Sequence, residues 1–326
     1  MASYNTISGL KVKYLSGDPA NPEDGQVWYN SATGKLRVSA VEGAGAWSSG
    51  GSLNVARYAL GGAGTQTAGL AISGQISPGS RTTSTEEYNG SSWTTSGNVG
   101  SARYSMGVSG TQTSALISMG WVGSATTATE LYNGSVWTAG TSSNDNRTGL
   151  GSSGGTQTSA LMFGGSESPG TSAATEEWDG SSWTGGGSLG TARYQLMGNN
   201  AGTQTAGLCI GGYVPGGGGA SALVEEYNGS SWTAGGALPT AEGNAARYGT
   251  QTAAIIAGGG PGPGPNTASK EYNGSTWVTL SSIATGRAFV SGCGSTSAGL
   301  IFGGSPTTTA TEEFTVPIGT ANITSS

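Results

Sequence analysis

The tetrapeptide Gly-Thr-Gln-Thr returns at 64–67, 110–113, 155–158, 202–205 and 249–252, and a degenerate Gly-Ser-Thr-Ser stands at 294–297. The steps between copies are 46, 45, 47, 47 and 45 residues. A period of this size means one supersecondary unit repeated, each burying its face against its neighbours. About twenty residues after each copy comes a strand-like segment ending in a turn: TEEYNG (85–90), TELYNG (129–134), TEEWDG (175–180), VEEYNG (224–229) and KEYNG (270–274). Trp93, Trp137, Trp183, Trp232 and Trp277 follow in turn.

Each unit reads as four short strands. The first, such as Tyr58–Gly62, follows an Ala-Arg-Tyr segment, and Gly-Thr-Gln-Thr turns it into the second. A longer loop leads to the third, and Asn-Gly or Asp-Gly makes a hairpin into the fourth, because a type I′ turn needs positive φ at both central residues. Four strands repeated every 40–50 residues describe a propeller blade. The C-terminal copy has GLIFGG (299–304) and TEEFTV (311–316) with no Trp strand after them, while Trp47 has no Glu-Glu-Tyr before it. The last blade therefore borrows its outer strand from the region of residues 44–50, which removes a pair of open edges. The expectation is an all-β, six-bladed propeller over 44–316, a separate N-terminal segment over 1–43 and a C-terminal tail over 317–326.

The Gly-Gly doublets, the Tyr about five residues before each Trp and the Arg between units resemble kelch repeats in that order, over residues 44–316. The copies are richer in Gly, Ser and Thr than usual for that family, and Gly-Thr-Gln-Thr is not a general kelch feature.

Repetition also classifies the charges. Arg57, Arg103, Arg147, Arg193, Arg247 and Arg287 are read as one repeat position. The acids before the aromatic (Glu86/Glu87, Glu130, Glu176/Glu177, Glu225/Glu226, Glu271, Glu312/Glu313) are read as another. Adjacent strand residues point to opposite faces, so a Glu-Glu pair cannot form one acid–base site. Each Arg is expected to bridge a Glu and backbone carbonyls with its planar fork. Trp47, Trp93, Trp137, Trp183, Trp232 and Trp277 are read as packing between sheets.

Composition then excludes several function classes. There is no His, which removes imidazole bases, Ser-His-Asp or Cys-His nucleophiles and imidazole metal ligands. Cys209 and Cys293 lie far apart and read as core residues, not a disulfide framework. Only 9% of residues are charged and the net charge is -6, so a basic footprint for nucleic acid is missing. The Gly-rich runs 216–219 and 258–265 lack the Gly-Lys-Ser/Thr of a phosphate loop. Some kelch-type propellers resemble galactose oxidase, but its copper site uses His ligands, and that likeness does not carry over. Asp145, Glu167 and Glu242 fall outside the repeat pattern but belong to three different units. No catalytic residue, metal or cofactor is expected.

The loops between second and third strands (74–84, 120–128, 165–174, 212–223, 259–268 and 304–310) vary most. Variable loops on a rigid frame are where recognition sits. Trp121, Tyr213 and Arg81 lie there outside the repeat pattern and are the expected ligand contacts.

Residues 1–43 hold Lys11, Lys13, Lys35 and Arg37, and 26–38 read as a hairpin around the turn 31–34. No apolar stretch has the length of a signal core or a membrane span. The pattern Pro-x-x-Gly-Gln-Val-Trp-Tyr-Asn-x-x-Thr-Gly-x-Leu at 22–36 resembles short modules of bacteriophage tail and virion proteins. Propellers rich in Gly, Ser and Thr with repeated Gly-Thr-Gln-Thr are also similar to structural proteins of marine phages. The resemblance implies a non-enzymatic virion protein (tail fibre, appendage or decoration) made in the host cytoplasm and released by lysis. It would attach to other virion proteins through residues 1–43, assemble as a homo-oligomer and present the propeller to a host surface glycan. Neither nucleic-acid binding nor membrane insertion is expected. The alternative is a cellular lectin-like or protein-binding kelch propeller.

Overall fold

The computed structural model describes residues 12–19, 25–41, 44–196, 202–216, 219–260 and 264–322. Lys11, residues 22–24 of the virion-like pattern, and parts of the Gly-rich runs (217–218, 261–263) lie outside the described residues. The chain forms two compact units, residues 1–45 with 316–326, and residues 46–315.

The smaller unit is built on the sheet Lys13–Leu15, Val27–Asn30, Lys35–Val41 and Ile318–Asn322, in that order. The hairpin lies across 27–41, with Gly34 at φ 69° closing the turn onto the Asn30 carbonyl at 2.8 Å. Asp18 collects the Trp28 indole N–H (3.0 Å), the Asn30 amide (2.7 Å) and Arg37 (3.2 Å). Those donors, led by Asn30, hold its carboxyl below the usual range. Residues 318–322, expected as a tail, are the fourth strand, pairing antiparallel with Arg37–Val41. A two-stranded hairpin is marginal in water, and the added strands supply what it lacks.

The larger unit is all-β, with no helix among the described residues, and contains six four-stranded antiparallel sheets, an arrangement consistent with a propeller. The first sheet is Gly61–Thr65, Ala68–Ile72, Thr85–Tyr88 and Trp93–Ser96. The second to fifth repeat this plan, with outer strands starting at Trp137, Trp183, Trp232 and Trp277. The sixth joins Ser291–Gly294, Ala298–Phe302 and Thr311–Thr315 to Ala46–Ser49, which pairs Trp47 with Phe314.

Local chemistry sets these strands. The Asn-Gly hairpins are not the two-residue type I′ turns expected: Tyr88 pairs with Trp93 across four loop residues, and Gly90 but not Asn89 has positive φ. The Asn side chain shapes the wider loop instead, its oxygen accepting the N–H groups two and three residues on, as Asn89 does from Ser91 (3.0 Å) and Ser92 (2.9 Å). Asp179 does the same, which is why Asp substitutes there. Gly64, at φ 100°, cannot carry a side chain, since a Cβ would stand 2.0 Å from the Ala68 carbonyl oxygen. Second strands are buried along most of their length, and neighbouring sheets interlock through them, as Leu70 and Ile72 do with Val108, Ala115 and Ile117.

The first strand begins later than the sequence suggests, at Gly61 instead of Tyr58. The intervening residues make a corner. Ala59, Ser105, Gly149, Gln195, Asn244 and Phe289 all have φ between 51° and 64°. Backbone bonds link these corners in succession. Ala59 N–H donates to Phe289, Ser105 to Ala59, Leu196 to Gly149, Asn244 to Gln195 and Phe289 to Asn244, with Gly149 donating to Ser105. The strained conformation at each corner is held by a bond to the neighbouring sheet.

Candidate functional site

Behind each corner lies a buried ion pair. Arg57, Arg147, Arg193 and Arg287 bond Glu86 (2.9 Å), Glu176 (2.8 Å), Glu225 (2.8 Å) and Glu312 (2.6 Å), and Arg103 bonds Glu130. The same guanidiniums donate to carbonyls, as Arg147 does to Gly164 (2.9 Å) and Ala174 (2.7 Å). Burial pulls the Arg57 pKa down to about 10, so it stays charged at neutral pH.

Arg247 does not belong to this series. It lies inside the strand Ala246–Thr250, paired in register with Ile256, and among the described residues its Nε and Nη2 have no hydrogen-bond partner. The corner position of the fifth sheet is held by Glu242, whose carbonyl accepts Gly212 N–H as Arg193 accepts Gly165 N–H. Its carboxylate meets Lys270 at 2.5 Å. Lys270 occupies the register position that Glu86, Glu130, Glu176, Glu225 and Glu312 hold elsewhere. The fifth sheet thus keeps the ion pair with its polarity reversed. The Ala-Arg-Tyr string at 246–248 does not mark the corner, because Arg247 stands two residues before Gly249, whereas Arg57 and Arg103 stand seven before their turns. Spacing identifies Glu242, seven before Gly249, and Glu242 is not outside the repeat.

On the face carrying the variable loops, aromatic side chains follow the corner Arg. Tyr58 packs edge-on against Phe289 at 6.2 Å, and burial together with nearby Tyr104 raises its pKa. Tyr194 lies 5.9 Å from Tyr213. Tyr213 bridges its backbone to Tyr194 and Ala220, and its ring covers Gly243, where a Cβ would come within 2.2 Å. Burial, with Tyr194 and Glu242 nearby, raises its pKa. Trp121 bridges to Tyr104 and Ala125 and is half-buried. Arg81 reaches into the next loop, donating to the Val122 carbonyl at 2.9 Å. The structure therefore brings Arg81 and Trp121 onto adjoining loops and pairs Tyr213 with Tyr194 through an isolated bridge outside the strands.

Tyr58, Tyr104, Tyr194 and Phe289 are absent from the sequence-derived contact set. Tyr58, Tyr104 and Tyr194 each directly follow a repeated Arg and Phe289 stands two after Arg287, a signal that a strand reading of these segments hides. These aromatic pairs offer half-buried ring faces and phenol hydroxyls, chemistry suited to stacking on the C–H face of a neutral polyhydroxylated ligand. Among the described residues no group of three or more Cys, Asp or Glu could hold a metal ion. Cys209 and Cys293 are buried thiols, and burial pushes Cys209 up to about 11, which leaves it an inert thiol. No family model matches the chain, and no curated protein matches it.

Proposed function

We propose that the larger unit is a six-bladed kelch-like propeller and that the protein is a non-enzymatic bacteriophage structural protein presenting it from the virion. The observation that supports the ring is the succession of corner bonds, which runs through all six sheets and returns from Phe289 to Ala59. In this reading Ala46–Ser49 completes the sixth blade, and the smaller unit, whose sheet holds strands from both chain ends, attaches the protein to other virion proteins and assembles its copies. The virion assignment rests on the phage-like pattern at 22–36 and on the sparse charge, which makes assembly insensitive to salt. The chain would be made in the host cytoplasm and leave by lysis.

The tyrosine-bearing face is the proposed contact with a host surface glycan, and multiple copies would turn weak single contacts into avidity. Mass spectrometry of purified particles tests the virion assignment, with the expected result that peptides from both units co-purify. Their absence from intact particles rejects it. Glycan-array binding by the full chain, lost in Tyr194→Ala and Trp121→Ala variants that remain folded, tests the contact face.

A further inference from the structure

Three kinds of polar strut tie neighbouring sheets. The first is the Gln of Gly-Thr-Gln-Thr, whose amide donates to carbonyls of the preceding sheet. Gln112 reaches Tyr88 (2.6 Å) and Gly69 (3.1 Å), and Gln66 reaches Phe314 (2.8 Å) and Gly299 (3.3 Å). Gln157, Gln204 and Gln251 do the same. The second is the tyrosine hydroxyl donating to the second Glu of the preceding sheet, as Tyr132 does to Glu87 at 2.6 Å and Tyr272 to Glu226 at 2.6 Å. The third is the Trp indole N–H, which Trp93, Trp137, Trp183 and Trp232 give to a Thr hydroxyl of the preceding sheet at 2.9–3.2 Å and Trp277 gives to the Gly236 carbonyl.

The sixth sheet makes none of these to the fifth. Thr296 stands where the Gln should be. Phe314 replaces the tyrosine, so Glu271 receives no phenol, and burial raises its pKa. The indole nitrogen of Trp47 and the Ser269 hydroxyl opposite it in the repeat are both buried without a hydrogen-bond partner among the described residues. The buried Tyr248 hydroxyl is likewise unpartnered, its ring lying against Gly299. The joint between second and third sheets shows what compensated loss looks like. There Leu131 replaces the Glu and Trp178 the tyrosine, and both pack into one apolar cluster. On the corner side the fifth–sixth joint keeps its bonds, Phe289 N–H to Asn244 at 2.8 Å and Gly259 N–H to Arg287 at 2.7 Å.

We propose that the joint between the fifth and sixth sheets is the opening seam of the ring, unfastened on the turn side and hinged on the corner side. The inference rests on the ring reading above. The sixth sheet, fastened to the first by Gln66, Tyr88 and Trp93, moves with it, so the seam lies away from the strand exchange that joins the chain ends. Local opening follows the distribution of bonds, and regions with unsatisfied buried groups open first.

Hydrogen exchange of the full-length chain, read by mass spectrometry, tests this. Amides of Ser269–Tyr272 and Ala298–Phe302, the strands facing the seam, are expected to exchange faster than those of Thr85–Tyr88 and Ser114–Ser118, which flank a fully strutted joint, by on the order of ten- to a hundredfold. A Thr296→Gln, Ser269→Thr, Phe314→Tyr variant is expected to slow exchange at the seam alone. The reverse set, Gln112→Thr, Thr85→Ser and Tyr132→Phe, is expected to move fast exchange to the first–second joint. Equal protection at both joints in the unmodified chain overturns the seam. X-ray scattering separates that failure from failure of the ring itself: a compact particle with uniform exchange removes only the seam, whereas an elongated row of sheets removes both.

Discussion

The first and fifth sheets share a plan and differ in how they use charge. In the first, Arg57 at the corner meets Glu86 on the third strand; in the fifth, Glu242 at the corner meets Lys270. The fold therefore requires a neutral buried pair at this place and is indifferent to which element carries the cation. What differs is the surrounding bonding. Arg57 also donates to the carbonyls of Ser84 and Ala71, which a corner carboxylate cannot do. Glu242 accepts from Asn266 at 3.1 Å instead, recruiting a side chain where arginine used backbone. In the fifth sheet the reversed pair thus has its carboxylate satisfied by both Lys270 and the Asn266 amide.

Breaking either pair from one side gives the largest expected effect. Glu242→Ala strands a buried ammonium and Arg57→Ala strands a buried carboxylate, and each is expected to cost about 3–5 kcal/mol in denaturant melts. The double exchange Glu242→Arg with Lys270→Glu restores the common polarity and is expected to recover most of the loss seen in Lys270→Glu alone. If the double variant is no better than that single one, the two polarities are not equivalent solutions. Arg247→Met sharpens the point from the other direction. It removes a buried charge that, among the described residues, hydrogen-bonds no carboxylate and feels Glu242 only as a lesser influence than its burial, so stability is expected to hold or rise by about 1 kcal/mol, whereas Arg147→Met is expected to lose several.

The next effect down concerns the tyrosine struts. Tyr132→Phe leaves Glu87 without its phenol donor and is expected to cost about 1–2 kcal/mol, as bonds to charged groups do. Phe314→Tyr, which offers Glu271 the donor it lacks, is expected to be neutral or stabilising by up to about 1 kcal/mol. The strutted tyrosines also set an alkaline limit. Tyr88, Tyr132 and Tyr227 are pushed up to about 12 by burial and by the Glu each bonds. The folded state then holds protons that the unfolded state releases, so stability falls as pH rises from 10 through about 12. Ultraviolet titration of folded protein should show these phenols ionising late, and the Tyr132→Phe variant should show one fewer.

The period, the strand count in each sheet, the place of the Asn-Gly hairpins and the borrowed Trp47 strand are legible because each is written in local turn chemistry; the hairpin type is not, since the Asn side chain closes a four-residue loop and leaves positive φ to the Gly alone. The corner was not, because Ala59, Ser105 and Phe289 are not residues that announce positive φ. Only the bond to the neighbouring sheet holds them there, and such a bond leaves no mark in one repeat. The same limit hid the reversed pair. The three-residue string Ala-Arg-Tyr makes Arg247 resemble a repeat member, while the spacing to Gly249 points to Glu242. The aromatic face was half-legible: Trp121, Tyr213 and Arg81 stood out by breaking the pattern, and Tyr58, Tyr104 and Tyr194 were passed over for obeying it.

The smallest expected effect isolates the acid left at the unfastened joint. Burial raises the Glu271 pKa from 4.5, and Phe314 gives it no hydrogen bond in return. A carboxyl whose folded pKa lies above its unfolded value favours the folded state when protonated. Its stabilising term is complete below 4.5 and is lost as pH rises through the raised folded value. Glu226, at the same repeat position, accepts the Tyr272 phenol at 2.6 Å, the hydrogen bond that Glu271 lacks. The Glu271→Gln variant is therefore expected to be slightly more stable than the unmodified chain at neutral pH, with the gap closing as pH falls toward 4.5. Glu226→Gln is expected to lose stability at neutral pH instead. Paired melts across that range check both, and a Glu271→Gln chain that is less stable at neutral pH would show that its carboxylate has a stabilising partner after all.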